Sequence, residues 1–220
     1  MAKEKKDFSE AKKRLKKEKM AAKKGKEEKV PVPKEEGCEF KMIHKVPQVE
    51  IHGEWQDTIR YKDGSVKIKK GPLKPNQIQN SFSDLLTAWC KGEAGYGRIA
   101  YIGIGEGLSS WDSATPPQPY SQTTLETEYF RKAIGLADIV WIDPSTNLPT
   151  GGTPSSKIEI AVLIGTSEGN GTMREFGLFG GQATATLDSG EMVNWVVHDR
   201  IDKDTSLEIE RIIRIEFATR

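Results

Sequence analysis

The last stretch of the chain, LEIERIIRIEFA (207–218), puts Leu207, Ile209, Ile213, Ile215 and Phe217 on one side of an extended backbone. Glu208, Glu210, Arg214 and Glu216 fall on the other side. A repeat of two is the repeat of a half-buried strand. A strand with one apolar face cannot satisfy its backbone or its side chains alone, so this segment commits the chain to a sheet. Arg211 interrupts the apolar side and Ile212 the polar one. KIEIAVLIG (157–165) repeats the pattern, with Ile158, Ile160, Val162 and Ile164 on one face. MREFGLFG (173–180), ATATLD (183–188) and MVNWVVHDR (192–200) each have strand length. Asn170-Gly171 is a hairpin-turn signal between two of these runs. The reversal near Asp202–Asp204 predicts antiparallel pairing of 192–200 with 206–217.

The earlier part of the body adds shorter elements. Ile59 and Tyr61 precede Asp63-Gly64, and Val66 and Ile68 follow it, which is the pattern of a hairpin. Ile78, Phe82, Leu85, Leu86 and Trp89 recur at helical spacing and predict a helix over 77–91, stopped by Gly92. Arg98–Ile104 reads as an apolar strand. Residues 105–123 carry three prolines and read as a loop, long enough to be functional or docked on a partner. Residues 124–131 fit a helical turn or a strand equally. Ala133–Ile142 is a candidate strand, and 143–156 is turn-rich. Many short strands divided by turns predict a mainly β protein, an antiparallel β-sandwich-like domain with one short helix.

The N-terminal part is of another kind. Residues 1–29 hold 13 Lys or Arg against 6 Asp or Glu, while the remaining 191 residues hold 20 against 26. The net charge of +1 therefore hides a basic arm on an acidic body. Lys, Glu and Ala favour helix, and Phe8, Ala11 and Leu15 share one face, but that stripe is narrow. The arm is expected to order, as helix or extended chain, only by docking. Its candidate contacts are Phe8, Lys12, Lys13, Arg14, Leu15, Lys16 and Lys17. Residues 30–51 hold Pro31, Pro33 and Pro47 and predict an extended linker. The β-rich domain is expected from 52 to 220.

Catalytic and cofactor motifs are not found. GIGEG (103–107) follows a strand, yet Leu108-Ser109-Ser110-Trp111 and prolines come next, not the helix a dinucleotide fingerprint requires. Its glycines are expected to ease the strand's exit or a neighbour's backbone. Glu126, Glu128 and Arg131 read as ion pairs. His198-Asp199 lacks a nucleophile motif, and His198 is expected on the solvent face opposite Val193, Trp195 and Val197. His44, His52 and His198 are scattered, so no metal site and no cofactor are expected. Cys38 and Cys90 are expected as reduced thiols. No apolar run reaches the ~20 residues of a membrane span, and the lysine-rich start lacks the apolar stretch of a secretory signal. Trp89 and Trp195 fit apolar faces. Trp111 and Tyr120, in the proline-rich loop, are the candidates for a partner or glycan contact.

Several segments, taken in order, carry a resemblance. They are Asn76-Gln77-Ile78-Gln79-Asn80 with Leu85-Leu86, Ile99–Gly107, Leu125-Glu126 with Arg131, Arg174–Phe179, and Met192-Val193-Asn194 with Ile201 and Lys203. Over about 55–220 the chain resembles small β-rich proteins and tail-fibre attachment domains of phage tails and baseplates. The resemblance implies a virion structural subunit, not an enzyme, made in the host cytoplasm. It implies homo-oligomers and other tail proteins as partners, without a membrane. The basic arm, and an end at Arg220 without a fibre shaft, favour a short adaptor or decorating subunit. Two alternatives stay open at this point: a virion protein whose arm contacts packaged nucleic acid, and a carbohydrate-binding module.

Overall fold

A computed structural model describes residues 49–68 and 73–219. Its elements in chain order are β1 (Val49–Tyr61), β2 (Val66–Ile68), β3 (Lys74–Ile78), α1 (Ser81–Lys91), β4 (Gly97–Gly105), a 3-10 turn (Ser109–Asp112), β5 (Glu128–Ala133), a second 3-10 turn (Leu136–Asp138), β6 (Ile139–Ile142), β7 (Lys157–Ile164), β8 (Gly171–Gly181), β9 (Glu191–Lys203) and β10 (Leu207–Thr219). The first described strand thus starts at Val49, within the predicted linker. The arm and the rest of that linker lie outside the described residues.

Among the described residues all strand pairs are antiparallel. Nine strands form one path, β5-β4-β8-β9-β3-β1-β10-β7-β6, and β2 adds to β1. The two ends of the path, β5 and β6, are joined in sequence by only Ile134–Asp138. Such a short link requires the sheet to fold over on itself. The core reflects this: Trp55, Ile59, Ile160, Ile209 and Ile213 from one half pack with Ile102, Phe176, Leu178 and Val196 from the other. The mainly β, antiparallel sandwich-like class with one helix therefore holds. β3 joins the halves, pairing Gly53–Trp55 of β1 at one end and Trp195 and Asn194 of β9 at the other.

Local signals act where expected. The β1–β2 hairpin turns at Asp63-Gly64, with Gly64 at φ 82° and the Asp63 carboxylate accepting from Ser65 N–H at 2.8 Å. α1 stops at Gly92, φ 71°, whose left-handed conformation closes the helix end. It starts at Ser81, not at 77, because Gln77 and Ile78 are held in the ladder with β9. Phe82 and Leu85 seal one side of the core.

Other expectations are corrected. Ala133–Ile142 is not one strand: Gly135 N–H donates to Asp138 at 2.7 Å, and the chain passes there between the ends of the sheet. Residues 183–188 form a loop held by Ser189 Oγ, which accepts from Thr184 N–H at 2.9 Å. Asn170-Gly171 closes no hairpin, since β7 pairs with β10 and β6 while β8 pairs with β4 and β9. Nor do β9 and β10 pair. Both sides of β10 are taken by β1 and β7, so no free edge of β10 remains for β9.

Phase explains the largest correction. Between Leu178↔Asn194 and Phe179↔Met192, β9 holds one extra residue, Val193. A one-residue bulge exchanges the faces of everything beyond it. Val193 and Val196 therefore both face the main core, whereas Met192 and Trp195 face a second cluster with Leu125 and Phe179. His198 follows Val196 inward and is half-buried, not exposed on a solvent face.

Candidate functional site

The GIGEG strand carries seats for side chains. At Gly105 of β4 a Cβ would collide with the Glu175 carboxylate, which lies directly opposite on β8. At Gly103 it would collide with Glu128 and Phe179. Gly107, at φ 58°, is covered by the Trp111 indole. Each glycine makes room for a group that organises the long loop, rather than for a neighbour's backbone. Glu175 is fully buried and accepts from Thr127 N–H at 3.0 Å, Glu126 N–H at 3.2 Å and Trp195 Nε1–H at 2.7 Å. Burial pushes its carboxyl pKa up against these bonds. Gly105→Ala is expected to destabilise the body by ~1–3 kcal/mol through overpacking. Chemical denaturation measures it, and an unchanged midpoint would refute the fit described.

Glu128 and Arg131 form a bidentate pair at 2.6 and 2.7 Å, with side chains 0% and 1% exposed. Arg131 also lies 4.2 Å from the Phe179 ring centre and donates to Ser189 O at 2.7 Å. Glu128 accepts from Asp188 N–H at 2.7 Å. The ion-pair expectation is met by Glu128 and Arg131 but, among the described residues, not by Glu126, and the pair fastens the β8–β9 loop.

A second buried pair lies behind β9. Arg211 continues the inward phase of β10, opposite Asp57 of β1. It is 0% exposed, binds the Asp57 carboxylate at 2.7 and 2.6 Å, and lies 4.0 Å from the Phe176 ring centre and 5.5 Å from that of Trp55. Its Nη1 has no hydrogen-bond partner among the described residues. Arg211 Nη2 meets His198 Nε2 at 3.3 Å, and His198 Nδ1 meets Asp199 O at 2.7 Å. These contacts fit a neutral ring that donates from Nδ1 and accepts at Nε2. Burial, then the Arg211 charge, hold its pKa down at about 4.

The sign of the pH effect follows. With the folded pKa below the ordinary 6.5, the unfolded chain binds more protons between pH 4 and 6.5. Stability is fully present above 6.5 and falls as pH drops toward 4, by up to about 3 kcal/mol. Asp112, Asp143, Asp202, Asp204 and Glu168 have lowered values, so their losses come below the ordinary carboxylate range. Glu175 contributes with the opposite sign. His198→Phe is expected to flatten the limb between pH 4 and 6.5 in urea titrations. A limb of unchanged slope would exclude His198 as its source.

β9 bulges a second time at this histidine. Between Glu175↔Val197 and Met173↔Ile201, β8 has only Arg174, while β9 has His198, Asp199 and Arg200. Over this bulge lies a cleft of about 500 Å³. Val197–Arg200 line it, Trp55, Lys74 and Pro75 flank it, and Trp111, Asp112 and Thr115 of the long loop form the opposite wall. Asp112 fixes that wall, taking Arg174 at 2.7 and 2.8 Å and Arg200 at 3.5 Å. Arg174, ahead of Arg200, holds the Asp112 carboxyl below its usual range. Lys74 reaches Asp199 at 4.0 Å and lies 5.4 Å from the Trp55 ring centre.

The two predicted loop residues part company here. Trp111 is half-buried, with its ring centre 6.2 Å from that of Trp195, and it lines the cleft. Tyr120 is 65% exposed and is not among the cleft residues; its carbonyl accepts from Asn80 N–H at 2.8 Å. The predicted arm contacts Phe8, Lys12, Lys13, Arg14, Leu15, Lys16 and Lys17 lie outside the described residues. His198, Arg200, Lys74 and Asp112 escape sequence reasoning because bulges and loop closure bring them together. Arg211 was visible as a break in an apolar face.

Among the described residues there is no group of three or more His, Cys, Asp or Glu side chains arranged for a metal ion. No described helix is long and apolar enough to cross a membrane. Compared with protein-family models, curated proteins and solved structures, the chain matches none.

Proposed function

We propose that this chain is a structural subunit of a phage tail, a baseplate or a related contractile particle. It acts as an adaptor or decorating protein through oligomerisation and docking of its basic arm. The observation that carries this reading is the spatial continuity of the segments that bear the resemblance. Ile102, Gly103 and Ile104 lie opposite Leu178, Gly177 and Phe176, and Leu178 and Phe179 lie opposite Asn194 and Met192. Glu126 N–H and Arg131 tie the intervening loops to this same sheet. The segments that bear the resemblance thus form one packed unit, which supports reading them together as one assembly fold.

The charge division supports docking. A segment with seven excess positive charges precedes a body of opposite net charge, so it can engage acidic surface on a neighbouring subunit. Extended arms add contact area at the expense of ordering entropy. Body edges are available too. β6 ends the sheet path and exposes Trp141 by 42%, close in sequence to Leu136 at 73%.

The test is to label the C-terminus and locate it on purified particles by electron microscopy, comparing the full chain with one starting at Val30. Label on the tail or baseplate, lost without the arm, supports the reading. Label on the head favours the alternative of an arm lying on packaged nucleic acid, in which case binding of the arm to DNA should fall steeply with salt. Absence from every particle overturns both.

A further inference from the structure

We propose that the cleft over the β9 bulge binds a neutral saccharide, with Trp111 against a sugar face and the cleft's polar side chains on its hydroxyls. The inference does not depend on the assembly reading, since it concerns a site complete within the body.

Three features select this ligand class. The first is the lining. Trp111 supplies aromatic surface, whose negative π face suits the polarised C–H bonds of a pyranose. Around it stand Asp112, Thr115, Asp199, Arg200 and Lys74, a dense set of donors and acceptors. The volume, about 500 Å³, lies within the ~300–1,000 Å³ of small-ligand sites.

The second is charge balance. Lys74 and Arg200 bring two positive charges to the cleft, and Asp112 and Asp199 bring two negative ones. Each cation lies within 4.0 Å of a cleft carboxylate, Lys74 of Asp199 and Arg200 of Asp112. Among the neighbouring charges, Arg174 is engaged by Asp112, Asp202 by Arg200, and Arg211 by Asp57. A phosphate, uronate or nucleic-acid backbone would meet as much repulsion as attraction. A polyol loses nothing to this balance and can use the outward-facing donors and acceptors of the same pairs.

The third is preorganisation. Trp111 is held between Trp195 and Gly107, and Asp112 between Arg174 and Arg200. Binding therefore orders few side chains, which matters for a ligand as weakly bound as a monosaccharide. Bulges commonly re-aim side chains beside functional sites, and the two extra residues of β9 do so here.

The experiment titrates the full chain with glucose, galactose, mannose and N-acetylglucosamine, with glucuronate and inorganic phosphate as charged controls. Indole N–H and His198 ring resonances are followed by NMR. At least one neutral sugar is expected to shift the Trp111 and His198 signals saturably in the millimolar range. Trp111→Ala is expected to weaken this binding about tenfold or more. Because that change also unpacks the loop from Trp195, Thr115→Trp serves as the second variant. It fills the cleft from an exposed position and is expected to abolish the shifts while leaving the thermal midpoint unchanged. Shifts with charged controls only, shifts that survive Thr115→Trp, or no response to any neutral sugar would each overturn the proposal.

Discussion

Asp57→Ala is expected to lower the stability of the body by about 3–5 kcal/mol, the cost of leaving a buried charge without its counter-ion. The guanidinium of Arg211 would remain among Trp55, Phe176 and His198, with Nη1 already lacking a hydrogen-bond partner among the described residues. Water reaches it poorly, because Arg211 is 0% exposed and the Asp57 side chain 3%. For a body of this size the thermal midpoint should fall by roughly 10 °C. The double variant Asp57→Val with Arg211→Met is the control. It replaces both charges with apolar volume and should recover most of the loss, since an intact buried pair adds little net stability over a packed apolar substitute. Guanidinium unfolding of Asp57→Val, of Arg211→Met and of the double variant gives the coupling directly. If Asp57→Ala and the double variant are equally unstable, the loss comes from packing and not from an orphaned charge.

Glu128→Ala should have a comparable effect, about 3–5 kcal/mol, with a local signature. Three things are lost together: the partner of Arg131, the acceptor for Asp188 N–H, and the group seated over Gly103. Without Glu128 to orient it, Arg131 can no longer hold Ser189 and Thr184 in place. The 182–190 loop is therefore expected to become a site of proteolytic nicking before the sheet itself opens. Limited proteolysis with mass-spectrometric mapping reads this out. Glu128→Gln keeps an acceptor for Asp188 and should give a milder loss with less cutting. Cleavage elsewhere first, with this loop intact, would show that the pair is not what fastens it.

These buried pairs mark the division between what was legible in the sequence and what was not. Local devices were legible because their causes are local. The Asp63-Gly64 turn, the stop of α1 at Gly92 and the alternation of β7 and β10 each depend on residues within a few positions. Pairing beyond the β1–β2 hairpin was not legible. β10 chose β1 and β7 over the adjacent β9, and β7 and β8, adjacent in sequence, do not pair. Such choices weigh the whole buried surface against alternatives that look alike in sequence.

The cleft was half legible. Trp111 was singled out for its place in a proline-rich loop, and it does line the site. Tyr120 was chosen on the same grounds and does not. His198 was put on the wrong face because alternation was carried straight through Val193, where the bulge resets it.

By itself, the sequence determined a mainly β body with one helix, the charge division between arm and body, and the positions of the tightest turns. Composition, period and turn chemistry are local or additive properties, so the chain states them directly. Only the tertiary structure decided that Arg211 and His198 face inward, that Gly103 and Gly105 of β4 and Gly107 beyond it seat Glu128, Glu175 and Trp111, and that a balanced polar cleft opens over β9. Those outcomes rest on register and bulges, where one residue more or less exchanges inside for outside. That parity is set by the partner strand, not by the strand's own sequence.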